Sequence, residues 1–237
     1  MESIYKTGEY LEHNRGWHTE DSAWKADQIA GAIERHNVAH ARVCDVGCGA
    51  GEVMRQLADR YPASQFTGYN LSPQAYEMAR QRETANCHFV LGSALEESGF
   101  DLALAIDVFE HIEDCYDFLR RMKRIATWKI FHIPLDMSVL AVAVNNQMWS
   151  RREVGHLHYF SKETALATLS DCGYEIVGHQ FTNSQGLNWQ NLTVGVRTAR
   201  KLTKLLVLGL PRLVLTTVSP ALSARFLGGL SLLVVAR

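Results

Sequence analysis

The feature that most constrains this 237-residue chain is a set of three glycines at alternate positions, Gly47, Gly49 and Gly51, set directly after the run Val43-Cys44-Asp45-Val46. A short apolar run of this kind reads as a buried strand. Glycine at every second place then lets the backbone turn tightly and approach a ligand before a helix begins near Glu52. A dinucleotide-binding turn needs its third glycine one place later, at Glu52, and sets a pyrophosphate on the helix N-terminus, where that carboxylate repels it. A triphosphate-cradling loop is excluded as well, because no Gly-Lys-Ser/Thr ending follows. Asp45, two places before the first glycine, suits a ligand that carries positive charge.

Around this turn, short apolar runs alternate with helical patterns: Arg42–Val46, then Val53/Leu57/Tyr61; Phe66–Tyr69, then Ala75/Met78/Ala79; His88–Leu91; Leu102–Ile106, then Leu119/Met122/Ala126; and Trp128–Ile133. Such alternation predicts an α/β fold with a doubly wound parallel sheet. Before it, Ser22 is placed to cap a helix whose face carries Ala26, Ala30 and Ile33. After it, Ser161–Asp171 reads as a helix ended by Gly173, and Tyr174–Phe181 as a strand. The chain divides into an aromatic arm or lid at 1–21, a core at 22–181, a Leu-rich helical insertion at 182–229 and a last strand at 230–237.

Composition removes several classes. Lys and Arg number 24 against 25 Asp and Glu, so no summed field gathers a polyanion and a nucleic-acid partner is not expected. Five cysteines without a CxxC pair argue against a disulfide framework and a zinc site. The polar N-terminus lacks the pattern of an export signal, and reduced thiols fit a cytoplasmic protein. Leu202–Val235 is broken by Lys204, Pro211, Arg212, Pro220 and Arg225, so no stable membrane span is expected. Packed helices and a closing strand are the leading reading there, with contact at a membrane surface as the other. A monomer or homodimer is expected.

The motif Asp45-x-Gly47-x-Gly49-x-Gly51 resembles the first motif of the class I, Rossmann-like methyltransferases, and Asp101-Leu102-Ala103-Leu104-Ala105-Ile106-Asp107-Val108-Phe109-Glu110-His111-Ile112 is similar to that family's fourth strand. The resemblance implies a seven-stranded sheet, parallel except for its last strand, with helices on both faces and S-adenosyl-L-methionine as cofactor. It implies cofactor contacts from Asp45, Gly47, Cys48, Gly49 and Gly51, from Asn70 and Leu71, from Ser93 and Ala94, and from Asp107, Val108 and His111. Two positions depart from the family. Asn70 stands where an acidic residue usually holds both ribose hydroxyls, and Ser93 where an aspartate meets the adenine amino group. Asp107-Val108-Phe109-Glu110 also replaces the Asp/Asn-Pro-Pro-Tyr found in enzymes that methylate nucleobases or glutamine.

The stretch Gly155-His156-Leu157-His158-Tyr159-Phe160-Ser161 resembles a loop that faces the acceptor in small-molecule members of the family. The implied activity is methyl transfer to a small-molecule acceptor, with O-methylation leading. Its alternative is a non-catalytic S-adenosylmethionine or S-adenosylhomocysteine binder, which the substitutions at Asn70 and Ser93 keep open. In-line displacement at an activated carbon needs no metal and no covalent nucleophile. A hydroxyl acceptor needs a base, for which histidine is suited near neutrality. His111, His132, His156 and His158 fall at the predicted carboxyl edge, and each has a purely structural reading too. His156 is the first candidate for the base, His132 the second, and His111 is expected to order the site. Tyr10, Trp17 and Trp24 either face the cofactor's cation or simply pack the arm onto the sheet.

Overall fold

The computed structural model describes residues 19–183 and 209–237. Its strands are β1 (Arg42–Val46), β2 (Gln65–Asn70), β3 (Cys87–Leu91), β4 (Phe100–Ile106), β5 (Ala126–Pro134), β6 (Ile176–Thr182) and β7 (Ser231–Ala236). They form one sheet in the order β3-β2-β1-β4-β5-β7-β6. The pairs among β1 to β5 are parallel. β7 runs antiparallel to both β5 and β6, as the resemblance implied. Strand order reverses between β1 and β4, and ligand crevices of open α/β sheets lie at such switch points, beyond the carboxyl ends of the strands.

The helices among the described residues are α1 (Ser22–His36), α2 (Glu52–Arg60), α3 (Pro73–Arg80), α4 (Cys115–Met122), α5 (Val139–Ala143), α6 (Asn146–Glu153), α7 (Lys162–Asp171), α8 (Leu210–Val218) and α9 (Pro220–Phe226). Side chains of a strand alternate between faces, and the two cores follow that alternation. Leu102 and Leu104 of β4, with Ile130 and Val235, join the cluster that holds Ile29 and Ile33 of α1 and Leu57 of α2. Ala103 and Ala105, with Phe131 and Val234, join Leu119 and Met122 of α4 and Leu169 of α7 on the opposite face. Strands covered on both sides read as continuous apolar runs, which is why these runs are visible in the sequence.

Local signals account for most boundaries. Ser161 caps α7 in a reciprocal capping box with Thr164, and Gly173, at φ 82°, takes the left-handed turn that follows. Two expectations are corrected. Ser22 is the first residue of α1 and is buried; Asp21 occupies the cap position and makes no side-chain capping bond. Ala126 begins β5 rather than closing the preceding helical face, because that helix ends at Met122 and Ile125 is already fully buried at the sheet. Most of the arm, with Tyr10 and Trp17, and residues 184–208 of the insertion lie outside the described residues. No helix among the described residues is long and apolar enough to cross a membrane.

Candidate active site

The carboxyl ends of β1, β2, β4 and β5 open on a cleft of about 1690 Å³. A cleft that size exceeds the ~300–1000 Å³ of an ordinary small-molecule site, leaving room for two ligands side by side. Arg212 and Leu227–Gly229 line it from the region of α8 and α9, and Thr19, Glu20 and Asp21 from the end of the arm.

Gly47, Gly49 and Gly51 all take positive φ, at 85°, 55° and 80°, so the alternate glycines are used for left-handed backbone. The turn is anchored by the amides of Gly47 and Cys48, which both donate to the Tyr69 carbonyl of β2, at 2.9 and 3.0 Å. A Cβ on Gly51 would meet the Phe89 ring at 2.5 Å, and one on Gly47 would meet Val108 at 3.0 Å. Beneath this turn Asp45 is only 2% exposed, and its Oδ1 is buried without a hydrogen-bond partner among the described residues. Burial pushes its carboxyl up to about 7, against a lowering pull from Lys25. A buried carboxyl with one unpartnered oxygen beside a backbone cradle fits a cationic ligand. Glu52, by contrast, is neutralised: Arg55 above all, with Gln56 and Arg82, holds its carboxyl down at about 2. The case against a phosphate ligand therefore rests on the glycine spacing and on Asp45 more than on Glu52.

Asn70, Leu71, Ser93 and Ala94 line the same cleft. Two of them spend their oxygens locally. Asn70 Oδ1 accepts from the Ser72 amide at 2.7 Å, and Ser93 Oγ accepts from the Leu95 amide at 3.2 Å. Each still carries donor hydrogens toward a ligand, which a carboxylate at either place would lack. Leu71 is 56% exposed and offers an apolar surface at the rim, whereas Ala94 is fully buried and presents only backbone.

At the end of β4, Asp107 stands at φ 55°, a conformation seldom taken by a residue with a side chain. Its two oxygens explain the posture: Oδ1 accepts from His132 Nδ1 at 2.6 Å, and Oδ2 meets Lys25 Nζ at 3.0 Å. Burial acts to raise the Asp107 carboxyl, yet His132 and Lys25 together hold it far below the carboxylate range. Lys25 also pairs with Asp21 at 3.1 Å. Lys25 was missed in the sequence, where its only local signal is the i, i+4 spacing from Asp21. His132 is buried with both nitrogens engaged, since Nε2 lies 2.9 Å from the Thr182 hydroxyl. Trp24 packs edge-on against the His132 ring, with centroids 6.0 Å apart.

His156 sits in a separate group. Its Nδ1 donates to Asp136 Oδ2 at 2.5 Å, and its ring meets that of His111 at a centroid distance of 4.8 Å. His111 Nδ1 donates to the Gly155 carbonyl at 3.2 Å, and its Nε2 lies 3.8 Å from Glu110 Oε1. Burial and the neighbouring His156 lower the His111 imidazole to about 4. Glu110 is wholly buried, and both its carboxyl oxygens lack a hydrogen-bond partner among the described residues. Burial, then the charge of Asp107, keeps that carboxyl well above its ordinary range. His158 lines the cleft too, with its Nε2 bonded to the Ile112 carbonyl at 2.8 Å.

The comparisons with known proteins agree with this architecture. Residues 44–127 match the family model described as a methyltransferase domain. Ajmaline N-methyltransferase of Rauvolfia serpentina is 35% identical over 91 residues, which is 35% of this chain and 31% of the relative. A probable chloroplastic tocopherol O-methyltransferase of Oryza sativa subsp. japonica is 37% identical over 93 residues, 35% of this chain and 25% of the relative. The matched part thus spans less than a third of either relative. The cyclopropane synthase MmaA2 from Mycobacterium tuberculosis shares the fold, with a TM-score of 0.59 at 15% identity over 89% of this chain and 84% of that one. Residues 44–127 thus carry the sequence pattern of a methyltransferase domain, on a sheet with the fold of that synthase.

Proposed function

We propose that the protein transfers a methyl group from S-adenosyl-L-methionine to a small-molecule acceptor, most simply to an oxygen. The carrying observation is the buried Asp45 carboxyl, whose Oδ1 has no hydrogen-bond partner among the described residues, beneath three left-handed glycines, a cradle for a ligand whose charge is positive. Asp45, Gly47, Cys48, Gly49 and Gly51 would hold the amino-acid end of the cofactor. Asn70 and Leu71 would hold its ribose, Ser93 and Ala94 its base, and Asp107, Val108 and His111 would close the cleft beside its reacting carbon. The cofactor supplies an electrophilic methyl carbon on a sulfonium. The chain's own task is alignment, for which about 7–11 kcal/mol is available in principle.

Of the two candidate bases, the geometry favours His156. His132 has both nitrogens committed to Asp107 and Thr182, while the Asp136 bond at Nδ1 of His156 leaves its Nε2 as the lone-pair nitrogen. His156 would then take the acceptor's hydroxyl proton. Calorimetry with S-adenosylmethionine and S-adenosylhomocysteine, followed by S-adenosylhomocysteine release over a panel of hydroxyl, amine and carboxylate metabolites, tests the reading. His156→Ala should keep ligand binding and lose turnover of a hydroxyl acceptor; unchanged turnover removes His156 as base and points to an acceptor already ionised. The second reading, a non-catalytic binder, is favoured by the local use of the Asn70 and Ser93 oxygens, and gains if ligand binds and no acceptor turns over.

A further inference from the structure

The group formed by Glu110, His111 and His156 turns three acceptor-bearing side chains toward one another. Each imidazole is fixed in the same tautomer from behind. His111 Nδ1–H is spent on the Gly155 carbonyl and His156 Nδ1–H on Asp136, so in both neutral rings Nε2 carries the lone pair. Glu110 adds a carboxyl group with neither oxygen hydrogen-bonded among the described residues, and its Oε1 lies 3.8 Å from His111 Nε2. Acceptors that face each other in a buried place repel unless a proton or a metal cation sits between them.

One ligand atom from each of these three residues lies within 4.8 Å of the others. We propose that Glu110, His111 and His156 bind a divalent first-row transition ion at the acceptor end of the cleft. Two imidazoles and one carboxylate on one side of an ion leave positions open on the other, and His111 and His156 both line the cleft, so the open side faces the acceptor. The pairing of Asp136 with His156 is the outer-shell bond that commonly orients a ligating histidine and raises its basicity. The two carriers are locked in register as well. The amides of Leu157 and His158 both donate to the Glu110 carbonyl, at 2.8 and 3.0 Å, tying the His156 loop to the short turn that holds Glu110 and His111. Ion-to-ligand distances of ~2.0–2.2 Å put ligand atoms roughly 3.4 Å apart, so the side chains must draw in by about an ångström on binding.

The chain's cysteines take no part in this donor set, which is why cysteine spacing gave no sign of it. An ion there would change the role of His156 from base to ligand: an acceptor hydroxyl that coordinates the ion is acidified by it and gives its proton to water. Binding of the ion is independent of methyl transfer, so the proposal stands or falls on its own.

The test is titration of the tag-free, chelator-treated protein with Co(II) alone, followed by visible absorption and calorimetry, with S-adenosylhomocysteine binding and thermal unfolding as checks on the fold. One equivalent should bind with a ligand-field band in the visible. His156→Ala and Glu110→Gln should each weaken binding by tenfold or more, and substitution of an exposed histidine, His88→Ala, should leave it unchanged. Asp136→Asn, which removes no ligand, should weaken it about 10–100-fold and carries the test if Glu110→Gln does not fold. Absence of a stoichiometric site, or Co(II) binding that survives His156→Ala and Asp136→Asn, overturns the proposal. In either case S-adenosylhomocysteine binding still reports separately on the cofactor site.

Discussion

Asp45→Asn is the perturbation with the sharpest consequence. The carboxyl rises from 3.8 to about 7 because it is buried, with Lys25 pulling the other way. A folded-state value above the unfolded one means that the folded protein holds the proton more tightly. Its contribution is therefore favourable below about pH 4 and is lost as pH rises toward 7, after which the loss is constant. At ~1.36 kcal/mol for each tenfold change in proton affinity the loss is about 4 kcal/mol, a large share of the ~5–15 kcal/mol that holds a domain folded. An asparagine side chain cannot ionise, so urea unfolding of both proteins from pH 5 to pH 8 isolates this one group. The stability of Asp45→Asn relative to wild type should grow by about 2–3 kcal/mol between pH 5 and pH 7 and then level off. Saturating S-adenosylhomocysteine, whose ammonium the carboxylate would meet, should shrink that gap, and the Asp45→Asn variant should bind it more weakly. A difference that stays flat across this pH range would refute the reasoning, because it would mean that Asp45 is not the orphaned charge the geometry makes it.

Gly51→Ala should destabilise by about 2–5 kcal/mol in urea, combining left-handed strain of ~1–2 with a clash against Phe89 of ~1–3. Its contrast is Gly31→Ala inside α1, where an added Cβ meets nothing within 4 Å; that variant should be more stable by about 0.5–1 kcal/mol. Lys25→Met should cost about 3–5 kcal/mol in the same assay, since it strips a buried partner from Asp107. It should also push the pH-dependent loss from Asp45 to higher pH, because Lys25 is the charge that opposes the rise.

Much of the fold was legible because its signals are local and periodic. The apolar runs mark β1 at its observed ends and fall short of β2 to β5 by one to three residues each, since a strand buried on both faces is apolar along nearly its whole length. The Ser161 cap and Gly173 stop are single residues with one chemical task each, and they too were readable. The start of α1 was not, because a serine ahead of an apolar face fits the cap and the first helical position equally, and burial against the sheet decides between them. The glycine turn was legible for the same reason as the strands: its constraint is steric and lies within five residues. The histidine side of the cleft was legible only as residue types. That His132 is locked by Asp107 and Thr182, while His156 is backed by Asp136, depends on contacts across 25, 50 and 20 positions of sequence. Nothing in local spacing encodes those pairings, and Lys25 joins them from a helix that precedes the whole sheet.

Those long-range contacts give the cleft its electrostatic character. Asp45, Asp107, Glu110 and Asp136 converge there, and Lys25 is the cation that acts on three of them: it pairs with Asp107 and pulls down both Asp45 and Glu110. One ammonium cannot satisfy that many carboxylates, and its own bonds go to Asp107 and Asp21. Two of these acids keep a raised proton affinity, Asp45 under the glycine turn and Glu110 beside the two imidazoles. On the proposals above, a cationic cofactor would take the place of the proton at the first and a divalent ion at the second. Each ligand would then compete with a proton for its acid.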